Sequence, residues 1–298
     1  MLCVADGCGG IGSRRYVKVE NHTEAYIAAR LAVESTRAWV SELDGHSLPS
    51  NAADAQVCAV RLAQTLKNRF SAFHSQYHND VDSRLIMRGL QRTLPTTICA
   101  ALIDARSRDR LSCVFFWAGD SRGYVLSADG LRQCTADHVV GSTNAMDNLY
   151  RDSKLSNMAN ADHDFHIDTY GLSVQKPCVV ITATDGAFSY LPTPMEFELL
   201  LLKTLETSSD LPGWRNRLNT SLTKFASDDC TLTMVCYGVD TFEELKTSFE
   251  GRRAALQAKF VTPVRRRRQN IDFARSLWDD YRHGYELSEE ERHADWHL

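Results

Sequence analysis

The stretch Val180-Ile-Thr-Ala-Thr-Asp-Gly-Ala-Phe188 decides how the chain is read. It is short, apolar and rich in β-branched residues, and it ends in an Asp-Gly turn. It therefore reads as a buried strand that delivers one carboxylate, Asp185, to a sheet edge. The arrangement occurs twice more. Leu2-Cys-Val-Ala-Asp-Gly7 carries Asp6 to the end of a strand, and Cys113-Val-Phe-Phe-Trp-Ala-Gly-Asp120 does the same for Asp120. An acidic pair, Asp228-Asp229, stands directly before Cys230-Thr-Leu-Thr-Met-Val-Cys236, at the beginning of a strand. Several strands that each present an aspartate at a sheet edge assemble an all-oxygen site for a hard divalent cation.

Around these strands the pattern alternates between pairs of helices and runs of strands. Helical spacing covers Glu24 to Leu43 and again about Ala52 to Tyr77, with Asp44-Gly45 and Pro49 marking the turn between them. Thr96 to Asp104 and Leu111 to Ala118 read as strands paired across a charged turn, and Tyr124 to Leu126 continues an antiparallel meander. The polar segment Val139 to Asp164 is expected to be a long surface loop near the site. Strands over Phe165 to Val174 and Cys178 to Thr184 precede helical patterns at Met195 to Leu205 and Trp214 to Phe225. The remainder changes character. Phe242 to Phe260 reads as a helix that Pro263 breaks, Arg265 to Arg268 form a basic run, and aromatic residues from Phe273 to Tyr285 recur at helical spacing. The expected division is a domain over 1–239 and a charged helical extension over 240–298, which docks on that domain or on a partner protein.

Bulk properties exclude several classes. A formal net charge of -4 gives no support to nucleic-acid binding. No apolar run approaches membrane-spanning length, and the N-terminus lacks the regions of a secretory signal. The nine cysteines are an odd number, scattered without a Cys-x-x-Cys pair, so they read as small buried hydrophobes in a reducing compartment. A cytoplasmic protein is the expectation.

Six motifs in order now carry a resemblance. Asp6-Gly-Cys-Gly-Gly10, Thr96-Thr97, Ala118-Gly-Asp-Ser-Arg122, Leu131-Arg-Gln-Cys-Thr-Ala-Asp-His138, Ala183-Thr-Asp-Gly186 and Asp228-Asp-Cys-Thr231 are similar to those of the protein phosphatase 2C family. These are the metal-dependent (PPM) protein serine/threonine phosphatases, and the likeness, of bacterial type, runs from Met1 to about Gly238. It implies an α+β fold, an α-β-β-α sandwich of two antiparallel sheets flanked by helix pairs. It implies two or three Mn²⁺ or Mg²⁺ ions. Asp6 would bridge two of them, the Gly7 carbonyl would bind one, Asp185 and Asp228 would complete the other, and Asp120 would help hold a weaker third. The implied activity is hydrolysis of phosphoserine and phosphothreonine on proteins, the products of a serine/threonine kinase.

Two departures bear on that implication. The family carries a strand with a phosphate-binding arginine ahead of the first Asp-Gly motif, and the sequence before Asp6 leaves no room for it. Arg14 and Arg15 are the candidates to bind phosphate instead. Cys8 stands where many members have a histidine proposed to protonate the leaving group. The alternative reading is a catalytically weak or inactive phosphatase-like module that binds phosphoproteins.

Overall fold

The computed structural model describes residues 1–43, 48–80, 92–141, 144–149, 153–267 and 270–298. The Asp44-Gly45 turn and Arg268 lie outside the described residues. In chain order the elements are β1 (Leu2–Val4), β2 (Arg15–Tyr16), β3 (His22–Thr23), α1 (Glu24–Ser41), α2 (Ala52–Tyr77), β4 (Ile98–Asp104), β5 (Arg110–Ala118), β6 (Arg122–Ser127) and β7 (Gly130–Gln133). They continue with α3 (Ala145–Leu149), β8 (Asp168–Gln175), β9 (Cys178–Ala183), α4 (Pro194–Glu206), α5 (Leu211–Leu222), β10 (Leu232–Tyr237), α6 (Phe242–Leu256), α7 (Thr262–Arg266), α8 (Ile271–Tyr285) and α9 (Glu289–His293).

The strands form two antiparallel four-stranded sheets, ordered β1-β4-β5-β8 and β10-β9-β6-β7. Side chains alternate across each strand, and here both faces are apolar. In β5, Cys113, Phe115 and Trp117 enter the layer between the sheets, while Val114, Phe116 and Ala118 face α1 and α2. In β9, Val180 enters the inter-sheet layer, while Val179 and Ile181 face α4 and its neighbours. Strands buried on both faces read as continuous hydrophobic runs, which is why Val180 to Ala183 carries so little polarity. Each large side chain removed from water contributes about 1.5–3 kcal/mol. The order of layers is helices, sheet, sheet, helices: the α-β-β-α sandwich.

Residues beyond 239 share the core. Trp278, Tyr281 and Tyr285 of α8 are buried in the same cluster as Tyr124, Phe197 and Phe249. Two acids of α4 bind the helices that follow β10. Glu198, fully buried, accepts both arms of Arg252 at 2.6 and 2.8 Å and the Tyr281 hydroxyl, and Glu196 accepts a fork from Arg265. Past α9 the chain reaches the other end of the sandwich, where the Leu298 N–H donates to the Ser50 carbonyl at 2.9 Å and Trp296 packs over Gly171.

Two local expectations are corrected. Pro263 does not end the helical run. It sits early in α7, directly after a π-helical turn over Gln257–Val261, and the helical run continues past it with that change of winding. The segment from Val139 to Asp164 is not a surface loop throughout, because Ala145, Met146, Asn157, Ala159 and Asn160 are buried. Its asparagines make this possible by satisfying backbone groups. Asn144 Oδ1 accepts from the Met146 N–H at 2.9 Å, and Asn160 Oδ1 accepts from the His163 N–H at 2.6 Å.

Candidate metal centre

Each candidate ligand stands where a strand leaves or enters a sheet. Past β1 the chain is gripped at Asp6. Its N–H donates to Thr97 Oγ1 at 3.1 Å, and its carbonyl accepts from the Thr97 N–H at 2.8 Å and from Thr96 Oγ1 at 2.7 Å. Gly7 lies against the first turn of α1, and a Cβ there would come within 2.2 Å of the Ala25 carbonyl oxygen, so only glycine fits. Between β5 and β6 the turn Gly119-Asp120-Ser121 presents Asp120, and the Ser121 and Thr97 hydroxyls are 2.7 Å apart. That contact ties the Asp120 turn to the threonine that holds Asp6. Asp185 opens a short 3₁₀ turn directly after β9. Thr184 draws in the last acid: its N–H donates to the Thr231 carbonyl and its Oγ1 accepts from the Thr231 N–H, both at 2.9 Å. Asp228 is exposed, and its Oδ1 takes the Asp229 N–H at 2.8 Å.

The electrostatics show which acids meet. Burial, the neighbouring charge of Asp185 and a hydrogen bond with it push the Asp6 carboxyl up to about 8, and Asp228 and Asp120 add to the rise. Burial and then Asp185 push Asp120 up to about 7. Asp185 is also raised, first by burial. Asp6 and Asp185 therefore touch, with Asp120 and Asp228 in electrostatic range. Arg122 is close by, but its guanidinium is forked on buried Asp137 at 2.8 and 2.6 Å. An all-oxygen cluster that costs free energy when ionised fits a hard divalent cation, which removes that cost.

The two arginines fare differently. Arg14 is spent on fully buried Glu24, with Nε and Nη2 on its two oxygens at 2.7 and 3.0 Å, and it also reaches Thr93 Oγ1 at 3.2 Å. Arg15 is exposed and gives one N–H to the Asn21 carbonyl at 2.7 Å. Cys8 belongs to the site. Burial and the charges of Asp120, Asp6 and Asp185 raise its thiol well above the ordinary value, so it stays protonated. Tyr190 was not marked by the sequence. It is exposed at the rim, and burial followed by Asp228, Asp185 and Asp6 raises its hydroxyl. Its only signal is its place five residues after Asp185. All nine cysteines are free thiols, as their scatter suggests, and among the described residues no helix is long and apolar enough to cross a membrane.

No family model and no curated protein matches the chain. Solved structures do. PppA, a key regulatory component of T6SS in Pseudomonas aeruginosa, aligns at a TM-score of 0.52 with 20% identity, over 79% of this chain and 85% of its own. The Mycobacterium tuberculosis serine/threonine phosphatase PstP/Ppp aligns at 0.54 with 17% identity, over 79% of this chain and 86% of its own. The serine/threonine phosphatase Stp1 from Staphylococcus aureus aligns at 0.53 with 14% identity, over 80% and 84%. With its two antiparallel sheets, outer helices and aspartates at the strand ends, the chain has the protein phosphatase 2C fold of the bacterial serine/threonine phosphatases.

Proposed function

We propose that the chain is a metal-dependent phosphatase that hydrolyses phosphoserine and phosphothreonine on proteins, the products of a partner kinase. One observation carries this reading. Burial, then the charges of neighbouring carboxylates, pushes Asp6 up to about 8 and Asp120 up to about 7, with Asp185 and Asp228 in electrostatic range of Asp6. Such a cluster is sustained by bound cations. Asp6, Gly7, Asp185 and Asp228 would hold two Mn²⁺ or Mg²⁺ ions, and Asp120 a weaker third. When bound, the ions supply Lewis acidity and neutralise the phosphate dianion, whose unaided hydrolysis is among the slowest reactions known.

The chain's own residues do the rest. Thr96 and Thr97 fix the Asp6 peptide, and the Ser121–Thr97 contact fixes Asp120 relative to it. Cys8 keeps its proton, so it is neither a nucleophile nor a ready acid, and the departing alkoxide takes its proton from water. That predicts slow turnover. Arg15, exposed and held only by one bond to the Asn21 carbonyl among those described, is the arginine proposed to meet a phosphate, while Arg14 serves by holding Glu24, the first residue of α1.

The test is Mn²⁺-dependent release of phosphate from a phosphothreonine peptide. Chelator should abolish it, and Asp185→Asn should lower it by more than about 100-fold, since even outer-shell losses cost 10–100-fold. A second reading, a phosphoprotein-binding module without turnover, draws on the engagement of Arg14 by Glu24, which removes one phosphate-binding candidate. Phosphopeptide binding without release by the Mn²⁺-loaded protein would select it.

A further inference from the structure

His138, Asp168 and His166 form a polar cluster beside the aspartate site, with their nearest nitrogen and carboxylate atoms within 4.8 Å of one another. The spacing would suit a metal ion, but the hydrogen bonds around His138 decide otherwise. Its Nδ1 receives the backbone N–H of Gly119 at 3.2 Å, and a peptide N–H can only donate. The same Nδ1 faces Asn157 Nδ2 at 2.8 Å. Asn157 is oriented by His166, whose N–H donates to Oδ1 at 3.1 Å and whose carbonyl accepts from Nδ2 at 2.9 Å. Nδ1 is thus an acceptor, and the ring proton sits on Nε2, 2.9 Å from Asp168 Oδ2. A metal on Nε2 would need that proton on Nδ1, where two donors already point. The cluster is therefore an oriented hydrogen-bond relay.

The relay ends on Gly119, the residue before Asp120. His138 holds that residue by both of its backbone groups, because its own N–H donates to the Gly119 carbonyl at 3.0 Å. Gly119 has φ of +99°, a conformation that costs little only in glycine, and a Cβ there would lie 2.7 Å from the Thr97 side chain. The ring is set from the other side by Trp117, with ring centres 6.1 Å apart and an interplanar angle of 23°. Trp117 is in turn held by its Nε1 donating to the Ala136 carbonyl at 2.8 Å.

We propose that His138, kept in its Nε2–H tautomer by Asp168, is a positioning residue for Asp120. It clamps the Gly119 peptide so that the Asp120 carboxylate is presented to the weaker of the metal positions. This rests on the metal reading of Asp120 given above and deepens it. The relay acts through Gly119 and not on substrate. Its part is to keep the turn in one conformation, as an outer-shell group does for a ligand.

The experiment has two arms on the full chain. The first is ¹⁵N-histidine NMR of the wild type, which reads the tautomer without any metal or activity. The expected result is an Nε2–H imidazole at His138; an Nδ1–H ring overturns the proposal. The second is Mn²⁺ titration by calorimetry of wild type, His138→Leu, His138→Asn and Asp120→Asn, each checked for folding by thermal melt. Asparagine places its oxygen near the Nδ1 position, so it keeps an acceptor for Gly119 that leucine lacks. His138→Leu should weaken the low-affinity Mn²⁺ class by about 10–100-fold. His138→Asn should stay within about threefold of wild type, and adding His138→Leu to Asp120→Asn should weaken binding no further. Unchanged Mn²⁺ binding in His138→Leu, or equal loss in the leucine and asparagine variants, overturns the proposal. Failure of the wild type to bind Mn²⁺ at all sinks the metal reading instead, and the NMR arm distinguishes the two failures.

Discussion

Asp6 bears a charge cost, set first by burial and then by Asp185, and that cost has a pH signature. Its carboxyl rises from 3.8 to about 8, so the metal-free native state holds a proton that the unfolded chain has released. The stability tied to that proton is complete below about pH 4 and is lost as pH rises toward 8. In chelator, the melting temperature should fall across this window, Asp6→Asn should flatten the slope, and Mn²⁺ should offset the fall. A second prediction concerns Arg14. Removing it leaves Glu24 buried and uncompensated, so Arg14→Leu should cost about 3–5 kcal/mol in a denaturant melt. Arg15→Leu should leave stability near wild type and raise KM instead. At this scale Asp6, Asp120 and Asp185 were legible in the sequence because each closes a short apolar run with an Asp beside a Gly. Asp228 could be picked out only by its place in a motif. The pairing of Arg14 with Glu24 and the relay from His138 to Asp168 were not legible, since both depend on which elements meet in space.

Helices and strands were easier to read than the segments joining them. Period-2 and period-3.6 patterns located the paired sheets and the helices over Glu24–Ser41 and Ala52–Tyr77. The 139–164 segment was misread because polarity alone does not separate a solvated loop from one whose asparagines satisfy a buried backbone. Pro263 reads as a helix break because nothing in the sequence shows the π-helical turn ahead of it, through which the helix runs on. The aromatic spacing of α8 was visible, and its consequence is testable. Trp278 is 2% exposed and Tyr285 1%, so their removal opens the core that α4 and β6 share. Trp278→Ala should cost about 3–5 kcal/mol in a thermal or urea melt. Deleting residues 270–298 should yield a chain that fails to fold cooperatively. A truncated chain with an unchanged melt would mean that α8 only decorates the domain.

Across the whole molecule, three apolar layers hold two sheets at fixed spacing, and the strand ends converge on one edge of the sandwich as a result. The layered core carries the turns on which the proposed chemistry lies, where glycines and hydroxyls set the carboxylates. That division explains why the fold is shared with bacterial phosphatases at 14–20% identity. Layer patterning tolerates wide substitution. Calorimetric titration of the chelator-treated protein with Mn²⁺ asks whether the aspartates hold divalent cations. At least two ions should bind per chain, with binding abolished in Asp185→Asn although that variant remains folded. A folded wild type that takes up no Mn²⁺ at millimolar concentration, or an Asp185→Asn variant that binds as the wild type does, would contradict it.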